Sequence, residues 1–320
     1  MHHQPLGPSG LCVPRIALGA MRYHTRGGTV EPRDLFAAYD AALECGINFI
    51  DHADIYGRGE AETVFGRYLA QDPGRRGQWL VQTKVAIRPP QGDRRFGCYD
   101  FSRKHIVASV DGSLKRLGID RLEVLLLHRP DALMEPEDVA AAFDELATAG
   151  KVRHFGLSNA NVWQMELLRR YIQQPLCANQ LAFGLGHPYL VTGGLYANRP
   201  HNPDSERPNL PAFHAEGLLE YCRLHDITIQ PYSPLAPDLL QTDGEDRPAA
   251  SALAEAAASK GLSPAALQIS WILTHPARMQ PIIGTTQPTR LREIADATTV
   301  TLTREEWYDL LQTATGQRIP

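Results

Sequence analysis

The sequence predicts an α/β fold in which eight parallel strands close into a (β/α)₈ TIM barrel, with an extra C-terminal helix. Three observations lead there. Short apolar runs of strand length alternate eight times with amphipathic runs of helix length, the pattern of βα units around a parallel sheet. No GxGxxG follows the first strand, which argues against an open, doubly wound sheet. At 320 residues and 43% apolar side chains, the whole of 1–320 can share one core, and a single domain is expected.

Strands are expected at Ile16–Ala20, Ile47–Asp51, Leu80–Lys84, Leu122–His128, Phe155–Ser158, Ala178–Ala182, Ile227–Tyr232 and Pro281–Ile283. Helices are expected at Arg33–Cys45, Glu60–Ala70, Arg103–Leu117, Pro136–Ala149, Val162–Tyr171, Ala212–Leu224, Pro264–Thr274 and Pro288–Asp296. Gly46, Gly118 and Gly150 follow helix ends, where a left-handed residue stops the helix, and Ser263-Pro264 suits a helix start. Ala249–Ser259 reads as an additional helix, and Thr303-x-x-Glu306 as a capping box that opens the C-terminal one. Two stretches break the rhythm. Gly184–Pro211, rich in Gly, Pro and Asn and holding His187, Tyr189 and Tyr196, is expected to be a substrate or lid loop. Arg88–Asp100 reads as a solvated loop or an anion clamp, through Arg88, Arg94 and Arg95.

A net charge of −4 gives no basic footprint for nucleic acid, and no apolar run nears the roughly 20 residues of a membrane span. The first ten residues lack the charged and apolar regions of a signal peptide, so the protein is expected to be cytoplasmic. Five cysteines without a CxxC pair suggest reduced, mostly packed thiols.

The C-terminal strand ends of such a barrel carry the reactive side chains. Here they supply Asp51, Lys84, His128, Ser158-Asn159 and Asn179-Gln180, with Tyr56 just past the second strand. Alternation places Leu80, Gln82 and Lys84 on one face, and likewise Leu122, Val124, Leu126 and His128, so Lys84 and His128 can point into the mouth. Singly, Asp51 and Lys84 could be a structural ion pair, His128 a core histidine and Tyr56 a packed ring. Together they suit acid–base work: an ammonium lowers a nearby phenol's pKa, Asp51 would hold Lys84, and a neutral His128 could orient a carbonyl oxygen. His52 lies on the opposite face from Asp51 and His154 precedes its strand, so neither is expected to be a ligand.

DHADIYG (51–57), TK (83–84), LLLHRPD (125–131), GKVRHFGLSN (150–159), NQ (179–180), PYSPLA (231–236) and PIIGTTQPTR (281–290) run through nearly the whole chain. The sequence resembles the aldo-keto reductases, NAD(P)H-dependent enzymes on this barrel, in a bacterial oxidoreductase branch carrying the HADIYG and HRPD wording. The resemblance implies Asp51, Tyr56, Lys84 and His128 as the catalytic tetrad, with Tyr56 the general acid in reduction and the base in reverse. It implies Ser158, Asn159 and Gln180 on the nicotinamide carboxamide and Tyr232 stacked on the ring. Gly19, Ala20, Met21, Ser233, Pro234 and Leu235 would line the cofactor, and Gly284, Thr285, Thr286, Gln287, Arg290 and Glu293 would take its adenosine phosphate end. That last stretch opens a helix, whose free amides and dipole also suit an anion. The sequence departs from many members in having Gly284 for a Lys, Ile294 for an adenine-facing Asn, and Met21 for an aromatic. NADP(H) is favoured through Thr285 and Arg290, with NAD(H) possible, and no metal is expected. The implied partner is a small-molecule carbonyl or alcohol, with neither nucleic acid nor membrane.

Three alternatives stand beside a carbonyl reductase. Asp51, His52, Asp54 and His128 could serve a metal-dependent barrel hydrolase, although no HxH lies on the first strand and no Asp ends the eighth. Lys84 could form a Schiff base in a lyase. An NADPH-binding regulatory subunit with little turnover is the third.

Overall fold

The computed structural model describes residues 1–25, 27–92, 95–195, 217–241 and 248–319. The barrel strands are β1 (Ala17–Gly19), β2 (Phe49–Asp51), β3 (Leu80–Val85), β4 (Leu122–Leu127), β5 (Val152–Ser158), β6 (Leu176–Ala182), β7 (Thr228–Tyr232) and β8 (Ile282–Ile283). They form one sheet in the order β7-β6-β5-β4-β3-β2-β1-β8, and every pairing in it is parallel. The two ends meet where the Gln280 N–H donates to the Ile229 carbonyl at 3.0 Å, closing the barrel.

Around the sheet lie α1 (Pro32–Glu44), α2 (Glu60–Leu69), α3 (Arg103–Leu117), α4 (Pro136–Thr148), α5 (Val162–Arg169), α6 (Tyr189–Leu195), α7 (Leu218–Leu224), α8 (Pro248–Ser259), α9 (Pro264–Thr274), α10 (Pro288–Ala295) and α11 (Arg304–Thr315). Their ends follow local chemistry. Ser263 caps α9 by accepting from the Ala266 N–H with Pro264 in the first turn, and Thr303 and Glu306 form the expected capping box on α11. Gly46, Gly118 and Gly150 take φ of 74°, 65° and 68° after α1, α3 and α4.

Three expectations need adjustment. β5 begins at Val152 rather than Phe155, so His154 lies inside the strand, in the half away from the mouth. The stretch after Phe183 is not plain loop: it contains α6 before entering 196–211, which lies outside the described residues together with Tyr196. The start of the helix expected from Ala212 also lies there, and α7 is described from Leu218. In Arg88–Asp100, Ile87–Arg88 and Cys98–Tyr99 pair antiparallel, and Arg88 is bound to Asp100 at 2.9 Å, so it is no open clamp. Arg94 lies outside the described residues.

The core has two parts. The larger packs outward faces of the strands against the helices and includes the ring cluster Tyr23, Tyr39, Phe65, Tyr68 and Trp79. The smaller fills the barrel floor. An N-terminal hairpin of His3–Pro5 and Cys12–Pro14 sends Leu6 and Val13 against Ala17, Phe49, Val124, Leu126 and Ala178, stopping the barrel from below. No disulfide links the cysteines; Cys177 and Cys222 are buried, whereas Cys12 and Cys98 are exposed rather than packed. Among the described residues no helix is long and apolar enough to cross a membrane.

Candidate active site

Strand register builds the site. Asp51 sits opposite Gly19 on β1 and Gln82 on β3, Lys84 opposite Leu126, and Gln180 opposite Ser158 and Gln230. The inward residues therefore reach the mouth at similar heights. Gly19 has no room for a side chain, since a Cβ there would lie 2.7 Å from Ile282 Cγ2. Lys84 Nζ donates to both Asp51 oxygens at 2.6 Å and to the His52 carbonyl at 2.8 Å. Both partners are buried, with side chains 1% and 3% exposed. Such a pair is held by geometry, because desolvation cancels much of the Coulomb attraction.

Tyr56 follows β2 at a sharp reversal. Gly57, Arg58 and Gly59 take φ of 56°, 59° and 89°, three left-handed residues in succession, and set the ring over the mouth. Lys84 Nζ lies 5.0 Å from its centroid, and the His128 ring meets it edge-on at 5.9 Å. The structure thus brings Asp51, Tyr56, Lys84 and His128 together.

The expectation that Lys84 leaves Tyr56 with a lowered pKa is corrected. Burial raises the phenol above its ordinary value and outweighs the ammonium's opposing pull. The phenol is therefore protonated at neutral pH, the form a proton donor requires. Burial also works against the Lys84 ammonium, but Asp51 and Tyr56 more than offset it and its pKa is raised. Burial, then the Lys84 and Arg129 charges, push His128 down to about 2, so its imidazole is neutral, as expected.

The other implied residues divide into two groups. In the first, Ser158 Oγ donates to the Gln180 carbonyl at 3.1 Å, and Asn159 Nδ2 to Ser158 Oγ at 2.8 Å. Tyr232 donates its hydroxyl to Asn159 Oδ1 at 2.9 Å, and Gln180 Nε2 donates to Asp51 at 3.1 Å. Four amide and hydroxyl side chains thus stand in one network continuous with the charged pair. Ala86, Asn159 and Ser233, just past β3, β5 and β7, take φ of 87°, 61° and 49°, in the left-handed region. Ala20 is buried, Met21 is 56% exposed, and Pro234 is buried between the half-buried Tyr232 and Leu235.

The second group, Gly284 to Glu293, opens α10. Gln287 makes no side-chain cap, leaving the first-turn amides open to an anion, and Gly284 faces open space. Arg290 and Glu293 are exposed, and Thr285 accepts Tyr23's hydroxyl on its carbonyl at 2.7 Å. Ile294 is 2% exposed and packs in the outer core.

Some candidates fall away. Asn179 points outward and donates to the Ala160 carbonyl at 2.9 Å, holding the start of α5. His52 is fully buried against Phe65, neither ring nitrogen has a partner, and burial lowers its pKa to about 3. One Asp54 carboxyl oxygen is buried without a partner, and burial, then the Glu62 charge, raises the carboxyl to about 7. Among the described residues no three His, Cys, Asp or Glu are grouped for a metal ion.

Sequence reasoning missed what supports the site. Glu62, fully buried on α2, accepts from Thr83 at 2.6 Å and Arg116 at 2.7 Å directly behind β3. Gln82, Gln230 and Gln280 fill the barrel beneath Asp51. Strand alternation put Gln82 on the Lys84 face, the one signal available. Beside the network a cavity of about 340 Å³ is lined by Tyr99, Arg129, Asn159, Asn161, Leu181 and Tyr189, among others.

A closed barrel with polar groups gathered at the C-terminal strand ends is the usual build of a (β/α)₈ active site, and the comparisons specify the family. The family model described as Aldo/keto reductase family matches residues 15–313, and the chain belongs to that family. A 6-dehydroglucose reductase of Novosphingobium aromaticivorans is 33% identical over 98% of this chain and 96% of its own length. Oxidoreductase YdhF of Escherichia coli is 30% identical over 98% of both chains. A probable voltage-gated potassium channel subunit beta of Oryza sativa is 28% identical over 92% of this chain and 90% of its own. The crystal structure of a thermostable aldo-keto reductase, Tm1743, with the inhibitor epalrestat shares the fold at a TM-score of 0.73 and 24% identity, over 98% of this chain and 100% of that one.

Proposed function

We infer that the protein reduces an aldehyde or ketone to an alcohol, reversibly, with NADP(H) favoured over NAD(H), in a site contained within one domain. The observation that carries this reading is the placement of Tyr56, neutral at physiological pH, between the Asp51-clamped Lys84 ammonium and a neutral His128. When bound, the nicotinamide supplies the hydride. The chain's own residues do the rest. His128, kept neutral, orients the carbonyl oxygen, and Tyr56 gives that oxygen its proton. Lys84 then stabilises the phenolate left behind, and Asp51 keeps Lys84 in place.

The polar network suits a nicotinamide: Ser158, Asn159 and Gln180 offer hydroxyl and amide groups to its carboxamide, and Tyr232 offers an aromatic face. The uncapped α10 with Thr285 and the exposed Arg290 suits an adenosine phosphate. The substrate would occupy the cavity beside Arg129 and Tyr99. Because two relatives are named 6-dehydroglucose reductases, a sugar-derived aldehyde belongs in the trial panel.

Titration with NADPH and NADH by nucleotide fluorescence, followed by a carbonyl panel, tests the reading. Tyr56→Phe should bind nucleotide as before and lose roughly 100-fold or more in kcat. An unchanged kcat refutes the role of Tyr56. The relatives named as potassium-channel subunits support a second reading, a nucleotide-binding regulatory subunit. Tight NADPH binding with no turnover across the panel would select it.

A further inference from the structure

Beneath Asp51 three glutamines, Gln82, Gln230 and Gln280, lie fully buried inside the barrel. They form a file. Gln280 Nε2 donates to the Pro14 carbonyl at 2.7 Å, and Gln230 Nε2 donates to Gln280 Oε1 at 2.9 Å and Gln82 Oε1 at 3.2 Å. Gln82 Nε2 donates to Gln230 Oε1 at 2.9 Å and to Asp51 Oδ1 at 2.7 Å.

The amide orientations follow from the two ends. The Pro14 carbonyl only accepts, so Gln280 must turn its NH₂ toward it and its oxygen toward Gln230. The ionised Asp51 also only accepts, so Gln82 must present NH₂ there, leaving its own oxygen for Gln230. Gln230 joins the two halves with both of its N–H groups, and no flip of one amide satisfies the rest. Asp51 Oδ1 then accepts from Lys84, Gln82 and Gln180, whereas Oδ2 accepts from Lys84. In a sealed interior these donors compete for one oxygen's charge.

We propose that Gln82, oriented by Gln230 and through it by Gln280, is a positioning residue that fixes the Asp51 carboxylate and draws off part of its negative charge. How much of Lys84's positive charge reaches the Tyr56 oxygen is thereby set from the barrel interior. The reaction assigned to Tyr56 rests on the function proposed above; the electrostatic coupling does not. Removing the Gln82 amide returns negative charge to Asp51, which opposes Tyr56 ionisation.

The test uses Gln82→Met, Gln230→Met and Gln280→Met in the full chain. NMR of isotope-labelled tyrosine ring carbons, with Tyr56→Phe to assign the signal, follows the onset of Tyr56 ionisation from about pH 9 to about pH 12, above the ordinary phenol value because burial raises it. The pH profile of NADP⁺-dependent alcohol oxidation is measured beside it. Gln82→Met should raise the Tyr56 titration by about one pH unit, a tenfold loss of kcat on the acid limb. Gln230→Met should raise it less, and Gln280→Met least. A purely structural role would lower all three melting temperatures and leave the titration where it is, which overturns the proposal. If Gln82→Met does not fold, an unmoved titration in Gln230→Met has the same meaning. A shifted titration in a protein that turns over no carbonyl would defeat the proposed function and leave the Gln82 inference standing.

Discussion

His52 should make the protein acid-sensitive, by an amount that follows from its surroundings. Its ring is fully buried and its pKa lies at about 3, against the ordinary 6.5, because burial and then the Lys84 charge oppose protonation. In the unfolded chain the same imidazole takes a proton below about pH 6.5. A depressed folded pKa gives stability that is fully present above pH 6.5 and lost as pH falls toward 3. At pH 5 the unfolded state has gained about 1.5 pH units of protonation free energy that the folded state has not, or about 2 kcal/mol. The figure depends little on how far below 5 the folded value lies. His128, at about 2, adds a similar amount, and about 4 kcal/mol is a large part of an ordinary domain's stability. The perturbation is His52→Leu. Neither ring nitrogen has a partner, so the change breaks no hydrogen bond, and Leu keeps an apolar contact with Phe65. The backbone carbonyl that accepts from Lys84 remains. Denaturant unfolding followed by circular dichroism, at about pH 7.5 and about pH 5, should show the variant losing about 2 kcal/mol less than the native chain on acidification. Equal losses in the two proteins would refute the assignment of a neutral, sealed imidazole.

Asp54 should have the opposite pH dependence. Its carboxyl is raised from 3.8 to about 7, so the folded state is penalised progressively as pH rises through that interval, and Asp54→Asn should be about 2–3 kcal/mol more favourable at pH 8 than at pH 5 by the same unfolding assay. Lys84→Met would leave the buried Asp51 carboxylate with glutamine donors only, and denaturation should register a loss of about 3–5 kcal/mol at neutral pH. Gly156→Ala would place a Cβ 2.6 Å from the Ala178 carbonyl oxygen and 2.7 Å from Leu126 Cδ2, and the overpacking should lower stability by about 1–3 kcal/mol.

Which parts of the molecule could be read in advance depended on whether the signal was local. Asp51, Lys84 and His128 were legible because strand alternation and the direction of a barrel strand fix where a residue two or four places along will point. The helix ends were legible for the same kind of reason: Thr303 with Glu306, and Gly118 after Leu117, act within one turn. β5 was read too short because Arg153 and His154 resemble a loop, although they form the strand's more polar lower half. α6 was missed because Thr192, Gly193 and Gly194 are poor helix formers. The glutamine file was invisible: Gln82 and Gln230 are 148 positions apart, and only closure of the barrel makes them neighbours. The direction of the Tyr56 shift depended on burial, which a sequence does not state, whereas the sign of Lys84's effect on it did not.

The left-handed turns at Ala86, Asn159 and Ser233 have a consequence for how such a protein can change. Each takes a conformation that L side chains rarely adopt one residue beyond a barrel strand, so the course of the chain is fixed there before the following loop begins. Insertions or replacements in the segments after β3, β5 and β7 can then alter what the mouth admits without pulling on Lys84, Ser158 or Tyr232. Three strained residues thus separate an inheritance of fixed chemistry from a rim free to diverge.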